Sequence, residues 1–196
     1  MTNTFTALET FDKGKLGALP NNWEMGITGM GASDWKLEKD HTAPSSPLVL
    51  KQSANGDFPW CVKKDSRLSD GFVAVKFKAI SGSIDQAAGL VWRWKDAHNY
   101  YVARANALED NVSIYYMQDG ERITIRYVDL PKDLPVKQNV WQSLRVDFQG
   151  EHFIVSFEGE TIIDIKDSHI KGEGAVGLWT KEDSVTSFDD FSYGKR

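Results

Sequence analysis

Period-two alternation punctuated by turn residues runs through nearly the whole chain, and no stretch carries the 3.6-residue period of a strong amphipathic helix. Residues 72–80 show it most clearly: Val73, Val75 and Phe77 alternate with Ala74, Lys76 and Lys78. Successive side chains on a strand point to opposite faces, so this run reads as a half-buried strand. Residues 141–148 repeat the pattern, with Leu144, Val146 and Phe148 set against Ser143, Arg145 and Asp147. Residues 112–117 and 122–128 flank Asp119-Gly120, a strong hairpin dipeptide, and residues 153–157 and 161–165 meet at Glu158-Gly159-Glu160. Shorter strands are expected at residues 8–11, 23–28, 35–38, 48–52, 175–180 and 188–193, with Phe58, Pro59 and Trp60 in an aromatic loop. About a dozen short strands at this spacing imply an all-β antiparallel sandwich or barrel. With no internal repeat or linker, one domain over residues 1–196 is expected.

Composition narrows the function classes. The length of 196 residues is ample for one core, and 41% hydrophobic with 26% charged residues excludes a disordered chain. Aromatic residues reach 12%, including seven tryptophans, which suits a β-sheet or a sugar-binding surface. A net charge of −5 argues against non-specific binding to nucleic acid or to anionic membrane, both of which need a basic patch. No apolar run is long enough to insert across a bilayer as a helix. The first residues show no basic run followed by an apolar segment, so the chain reads as cytoplasmic, or as periplasmic or secreted if a leader has been removed. Cys61 is the only cysteine, which rules out an intrachain disulfide.

The stretch GLVWRWKDAHNYYVARANALEDN, residues 89–111, carries the most chemistry. It reads as two strands around a polar turn. Leu90, Trp92, Trp94, Tyr101, Ala103 and Ala105 are assigned to the core, which places Arg93, Tyr100, Arg104 and Asn106 together on the opposite face. Two arginines beside a tyrosine and an amide are costly to bury and suit polar ligand binding. Two strand arginines paired with neighbouring carboxylates would be the structural alternative, contributing about 0–1 kcal/mol at a surface. Glu109 and Asp110 precede Asn111 in a polar turn, where a carboxylate near two arginines can accept a proton. Trp179 and Lys181 share a side by alternation at a strand end, with Asp183 two residues on.

Four segments also carry a resemblance: ETFDKGKLGALPNNW, AAGLVWRWKDAHNYYVARANALEDNVSIYYMQDGERITI, WQSLRVDFQGEHFIVSFEG and GLWTKEDSVTSFDDF. The first is similar to the opening strand and loop of concanavalin A-like lectins and glucanases. Together the others resemble the 3-keto-disaccharide hydrolase domain family, over Phe11 to Tyr193. The resemblance implies a two-sheet antiparallel jelly roll whose concave face carries a carbohydrate or small glycoside. It implies catalytic roles for Glu109, Asp183 and Arg104, and binding roles for Arg93, Tyr100, Asn106, Asn111, Trp179 and Lys181. Asp190 is similar to an aspartate that, in several relatives of this superfamily, binds a structural calcium together with backbone oxygens of the first strand. One carboxylate plus carbonyls is adequate for that hard cation.

Three activities follow as expectations. A 3-keto sugar has an acidified C–H bond, so a base (Glu109 or Asp183) removes that proton and the glycosidic oxygen departs, with Arg93, Arg104 or Lys181 cradling the enolate. A lectin-like domain would use the same face without chemistry, and an interaction domain would hold protein there. The paired-carboxylate spacing E-x-D-x-E of the glucanases is absent, as are a phosphate-binding glycine loop, a G-x-S-x-G elbow and a zinc-spaced histidine pair.

Overall fold

A computed structural model describes residues 5–195, and among these every regular element is a strand. In chain order the first five are β1 (Phe5–Glu9), β2 (Trp23–Gly31), β3 (Trp35–Lys39), β4 (Leu48–Gln52) and β5 (Gly56–Lys63). Next come β6 (Gly71–Ser81), β7 (Ala87–Asp96), β8 (Asn99–Asn106), β9 (Asn111–Gln118) and β10 (Glu121–Asp129). The last five are β11 (Gln142–Gln149), β12 (His152–Phe157), β13 (Glu160–Lys166), β14 (Ala175–Trp179) and β15 (Val185–Lys195). They form two antiparallel sheets. The back sheet runs β13-β12-β11-β6-β15-β4-β3 with β1 also paired to β15; the front sheet runs β10-β9-β8-β7-β14-β5-β2. This is the expected two-sheet jelly-roll sandwich.

Alternation places the core between the sheets. Val73, Val75 and Phe77 on β6, Leu144, Val146 and Phe148 on β11, and Phe153, Val155 and Phe157 on β12 face Leu90, Trp92, Tyr101, Ala103 and Ala105 of the front sheet. Trp92 stacks on Tyr101 at 5.2 Å between ring centres and meets the Phe153 edge-on at 5.4 Å. Both are fully buried, and burying each side chain of this size contributes roughly 1.5–3 kcal/mol. The hairpins turn where the dipeptides require. Asp119 and Gly120 have φ of 52° and 85°, and Glu158 and Gly159 have 50° and 83°, the paired left-handed residues of a tight turn whose twist matches its strands.

Three expectations change. Phe58, Pro59 and Trp60 belong to β5 rather than to a loop. Pro59 lies opposite Thr180, just past the Trp179↔Trp60 pair that ends β14: Thr180 N–H donates to the Pro59 carbonyl at 2.9 Å, and only the reciprocal bond that a proline cannot make is lost, at the end of the ladder. The β7–β8 ladder is regular up to Trp92↔Tyr101 and then slips, with Arg93 in the left-handed region at φ 48°. That bulge turns Trp94 out of the core and onto the outer face of the front sheet. It also removes Arg93 from the Arg104 face, as described below.

Candidate functional site

Where β8 ends and β7 and β9 begin, Asn106 fastens two loops together. Its side-chain carbonyl accepts from Leu108 N–H at 2.9 Å and Gln86 N–H at 3.3 Å, and its amide donates to Asp85 Oδ1 at 2.5 Å. Asp85 is the hub of the arrangement. Its other oxygen meets Lys181 Nζ at 2.5 Å, and Arg104 Nη1 lies 3.7 Å from Oδ1. Arg104 Nη2 also donates to Glu109 at 2.7 Å and to the Asn111 side-chain carbonyl at 2.9 Å. The Asn111 amide closes the ring by donating to Glu109 at 2.9 Å and to the Tyr127 hydroxyl. Arg104, Asn106, Glu109, Asn111 and Lys181 are therefore gathered in one network, as the alternation and the polar turn suggested.

Exposure divides this network into a buried base and an open rim. Asp85, Arg104, Asn106 and Asn111 are buried, whereas the Glu109 side chain is 40% exposed and Tyr127 47% exposed. Partial burial works against the Glu109 charge, but the Asn111 amide and the Arg104 guanidinium hold its carboxyl below its usual range. Asp183 sits beside the network in a different role. It accepts from the backbone N–H groups of Ser83, Ile84 and Asp85 and from the Ser83 hydroxyl, so its carboxylate anchors the 82–85 loop. Burial opposes that charge, yet the backbone donors of Ser83 and Asp85 hold the carboxyl at about 2. With its lone pairs occupied in this way, Asp183 is poorly placed to serve as a base.

Tyr100 and Trp179 lie further along the same outer face, which is closed rather than open. Tyr100, Val102, Tyr115, Met117, Val91, Trp60 and Trp179 form a second buried apolar cluster there, with Phe58, Trp94 and Ala97 packed on it. Phe58 stacks on Trp179 at 5.5 Å and 12°. The Tyr100 hydroxyl bonds Thr28 Oγ1 at 2.8 Å, and burial raises its pKa to about 12. Both side chains are fully buried, so Trp179 is not the exposed sugar-stacking platform that its position suggested, and Tyr100 lines no open pocket.

Two other residues stand apart. Arg93 donates to the carbonyls of Ser69, Ile170 and Gly150, lies 3.5 Å from Asp70, and packs over the Phe153 ring. It ties loops at the opposite end of the strand and does not share a face with Arg104; the bulge at its own position is the reason. Asp190, on β15 in the back sheet, pairs with Lys76 at 2.9 Å and accepts from the Ser45 hydroxyl at 2.5 Å. Among the described residues no group of three or more His, Cys, Asp or Glu side chains is placed to hold a metal.

Sequence reasoning missed Asp85, Tyr127 and Arg122. Asp85 lies in a loop with no periodicity to mark it. The sequence marks Tyr127 only as part of a strand, and its exposure follows from the edge position of β10. Arg122, at the start of the same strand, lays its guanidinium over Tyr115 at 4.6 Å and over Phe58 at 5.2 Å.

No known family and no curated protein matches the sequence. Solved structures do match the fold. A carbohydrate-binding module, CBM66, from Bacillus subtilis superposes with a TM-score of 0.68 at 20% identity, covering 87% of this chain and 94% of its own. A Bacillus licheniformis β-glucanase gives 0.65 at 8% identity over 97% and 98% of the two chains. A prokaryotic β-1,3-1,4-glucanase (lichenase) derived from a mouse hindgut metagenome gives 0.63 at 13% identity over 98% of each. The chain thus has the concanavalin A-like sandwich fold.

Proposed function

We propose that this chain binds carbohydrate at the rim formed by Glu109, Lys181 and Tyr127, over the buried Asn111. The observation that carries the reading is the fixed geometry of Glu109, a half-exposed carboxylate held ionised by Arg104 and Asn111. A sugar diol offers two donors to such a carboxylate and accepts from neighbouring cations and amides, while its C–H face packs on an exposed aromatic ring such as Tyr127. Because the network already holds these side chains, little ordering cost remains for the ligand to meet. The fold supports the same class, since a carbohydrate-binding module and two glucanases share it.

Binding fits this rim better than hydrolysis. Cleavage by two carboxylates needs one of them kept protonated by a raised pKa, with room for a sugar between them. Here Asp85 is buried in ion pairs, Asp183 is held ionised by backbone donors, and Glu109 is held ionised by Arg104. One chemical route needs no second carboxylate: proton abstraction from a 3-keto glycoside by Glu109, with Lys181 near the enolate. The support for that route is that Glu109 and Lys181 join one network, through Arg104 and through Asp85.

A glycan panel read by thermal shift, run beside product formation from 3-keto and ordinary disaccharides, tests the reading. Binding without turnover is expected, with affinity reduced about 10- to 100-fold in Glu109→Gln, the loss of a charge-assisted hydrogen bond. Turnover of a 3-keto glycoside that Glu109→Gln abolishes would assign the catalytic route instead. Absence of glycan binding at millimolar concentration, together with absence of turnover, would refute both.

A further inference from the structure

One row of residues crosses the outer face of the front sheet immediately inside the rim. Ladder partners in an antiparallel sheet put their side chains on one face, and here the partners run Tyr127, Ser113, Arg104, Gly89, Trp179, Trp60. Next to this row, Tyr115 lies on β9 two residues beyond Ser113, and Arg122 stands opposite Met117, two residues further on the same face. Tyr115 is flanked by both guanidiniums, Arg104 at 5.6 Å and Arg122 at 4.6 Å from its ring centre.

The hydrogen-bonding groups around Tyr115 do not balance. Arg104 Nε, Ser113 Oγ and Arg122 Nη1 are all buried and have no hydrogen-bond partner among the described residues. Arg104 is 2% exposed and Ser113 fully buried, so these are atoms for which an unmade hydrogen bond is expensive. All three can donate, and two of them can only donate. Arg104 has carboxylates for its other nitrogens, whereas Arg122 makes no ion pair among the described residues and rests on two aromatic rings. A neutral sugar would bring as many donors as acceptors to this place. A carboxylate brings acceptors alone, in a plane that matches a guanidinium fork.

We propose that the carbohydrate taken by this face is acidic, a uronate whose carboxylate binds Arg122 beside Ser113 and the free Nε of Arg104. The proposal rests on the carbohydrate-binding reading and names the class of sugar. Arg122 and Phe58 are partly exposed and form the roof over the row. A uronate reaching the row shifts that roof and supplies a counter-charge that Arg122 has from none of the described residues. Trp60 and Trp179, in the same row, report the event through their fluorescence.

Calorimetric titration of the whole chain with oligogalacturonides and with neutral gluco-oligosaccharides, at low and high salt, is the test. Galacturonide is expected to bind more tightly, to lose affinity with added salt, and to change the tryptophan emission. Arg122→Gln is expected to weaken galacturonide binding about tenfold or more while leaving neutral-sugar affinity unchanged, with at most a small fall in melting temperature from the lost contacts with Tyr115 and Phe58. Tighter binding of neutral sugars, unaffected by Arg122→Gln, would overturn the acidic-sugar proposal and leave the carbohydrate-binding reading standing. Binding of neither class would overturn both.

Discussion

Asp85→Asn is the substitution that most directly questions whether the polar network is a rigid platform. Asp85 is 1% exposed and is the common partner of Lys181, Asn106 and Arg104. The asparagine keeps the shape and can still accept from Asn106, but its amide turns N–H groups toward Lys181 Nζ, which now sits 2.5 Å from a carboxylate oxygen. Removing one member of a buried ion cluster leaves the others uncompensated, which costs about 3–5 kcal/mol in comparable cases. The Lys181 side chain is 16% exposed and can turn partly to water, so the lower end of that range is expected. For a chain of this size, 1 kcal/mol corresponds to roughly 2–4 °C, so about 3 kcal/mol lowers the melting temperature by roughly 6–12 °C. Urea unfolding of the parent and of Asp85→Asn measures the difference directly. Glycan affinity should fall as well, because Arg104 loses one of the two carboxylates that set its orientation. A stability change under about 0.5 kcal/mol, the scale of an ordinary surface substitution, would show that the cluster is solvated and loose, and the argument for a preorganised Glu109 would go with it.

Other outcomes follow from single observations. Asp183 has a depressed folded-state pKa of about 2 against an ordinary 3.8, so its stabilising contribution is present above pH 4 and is lost as the pH falls through 2; acid unfolding of Asp183→Asn should lose that part of the pH dependence. Asp189 is the opposite case. Burial, with Asp190 beside it, pushes its carboxyl up to about 7, so the folded state holds a proton that the unfolded chain releases near 4, and stability falls as pH rises between 4 and 7. Asp189→Asn should flatten that fall in a urea-unfolding series, and an unchanged slope would refute the assignment. Arg93→Met should cost about 2–4 kcal/mol by leaving the Ser69, Ile170 and Gly150 carbonyls without their donor, while the folded protein binds glycans as the parent does. A selective loss of glycan binding in Arg93→Met would return Arg93 to the binding face.

The fold was legible because burial in a sandwich writes itself into alternate residues. Val73, Val75 and Phe77, or Leu144, Val146 and Phe148, face the core because every second side chain must. The dipeptides Asp119-Gly120 and Glu158-Gly159 mark tight turns because two consecutive left-handed residues are needed there. β5 was illegible for a local reason: Pro59 reads as a strand breaker, yet it costs a single ladder bond at the very end of the β14 pairing, where Thr180 still donates to its carbonyl. Whether a neighbouring strand continues is a tertiary fact, and no window of sequence contains it.

The site was half legible on the same grounds. Alternation put Tyr100, Arg104 and Asn106 on one face correctly, since their strand is regular from Tyr100 to Asn106. It failed at Arg93, where a single left-handed residue shifts the register and exchanges the faces of everything beyond it. Nor does alternation say whether an outward face meets water. Tyr100 and Trp179 point away from the core as expected and are nonetheless buried, because Phe58 on β5, Trp94 on β7 and Ala97 in the β7–β8 turn pack over their cluster. The consequence for function is specific. At the end of the front sheet, where loops 82–86 and 107–110 meet, the decisive group is Asp85. A loop aspartate with no pattern around it reaches Lys181, Asn106 and Arg104 only after β7 has paired with β8 and β14. The arginine was visible in the sequence; the carboxylate that orients it was not, and the two must be read together before Glu109 has a defined charge and direction.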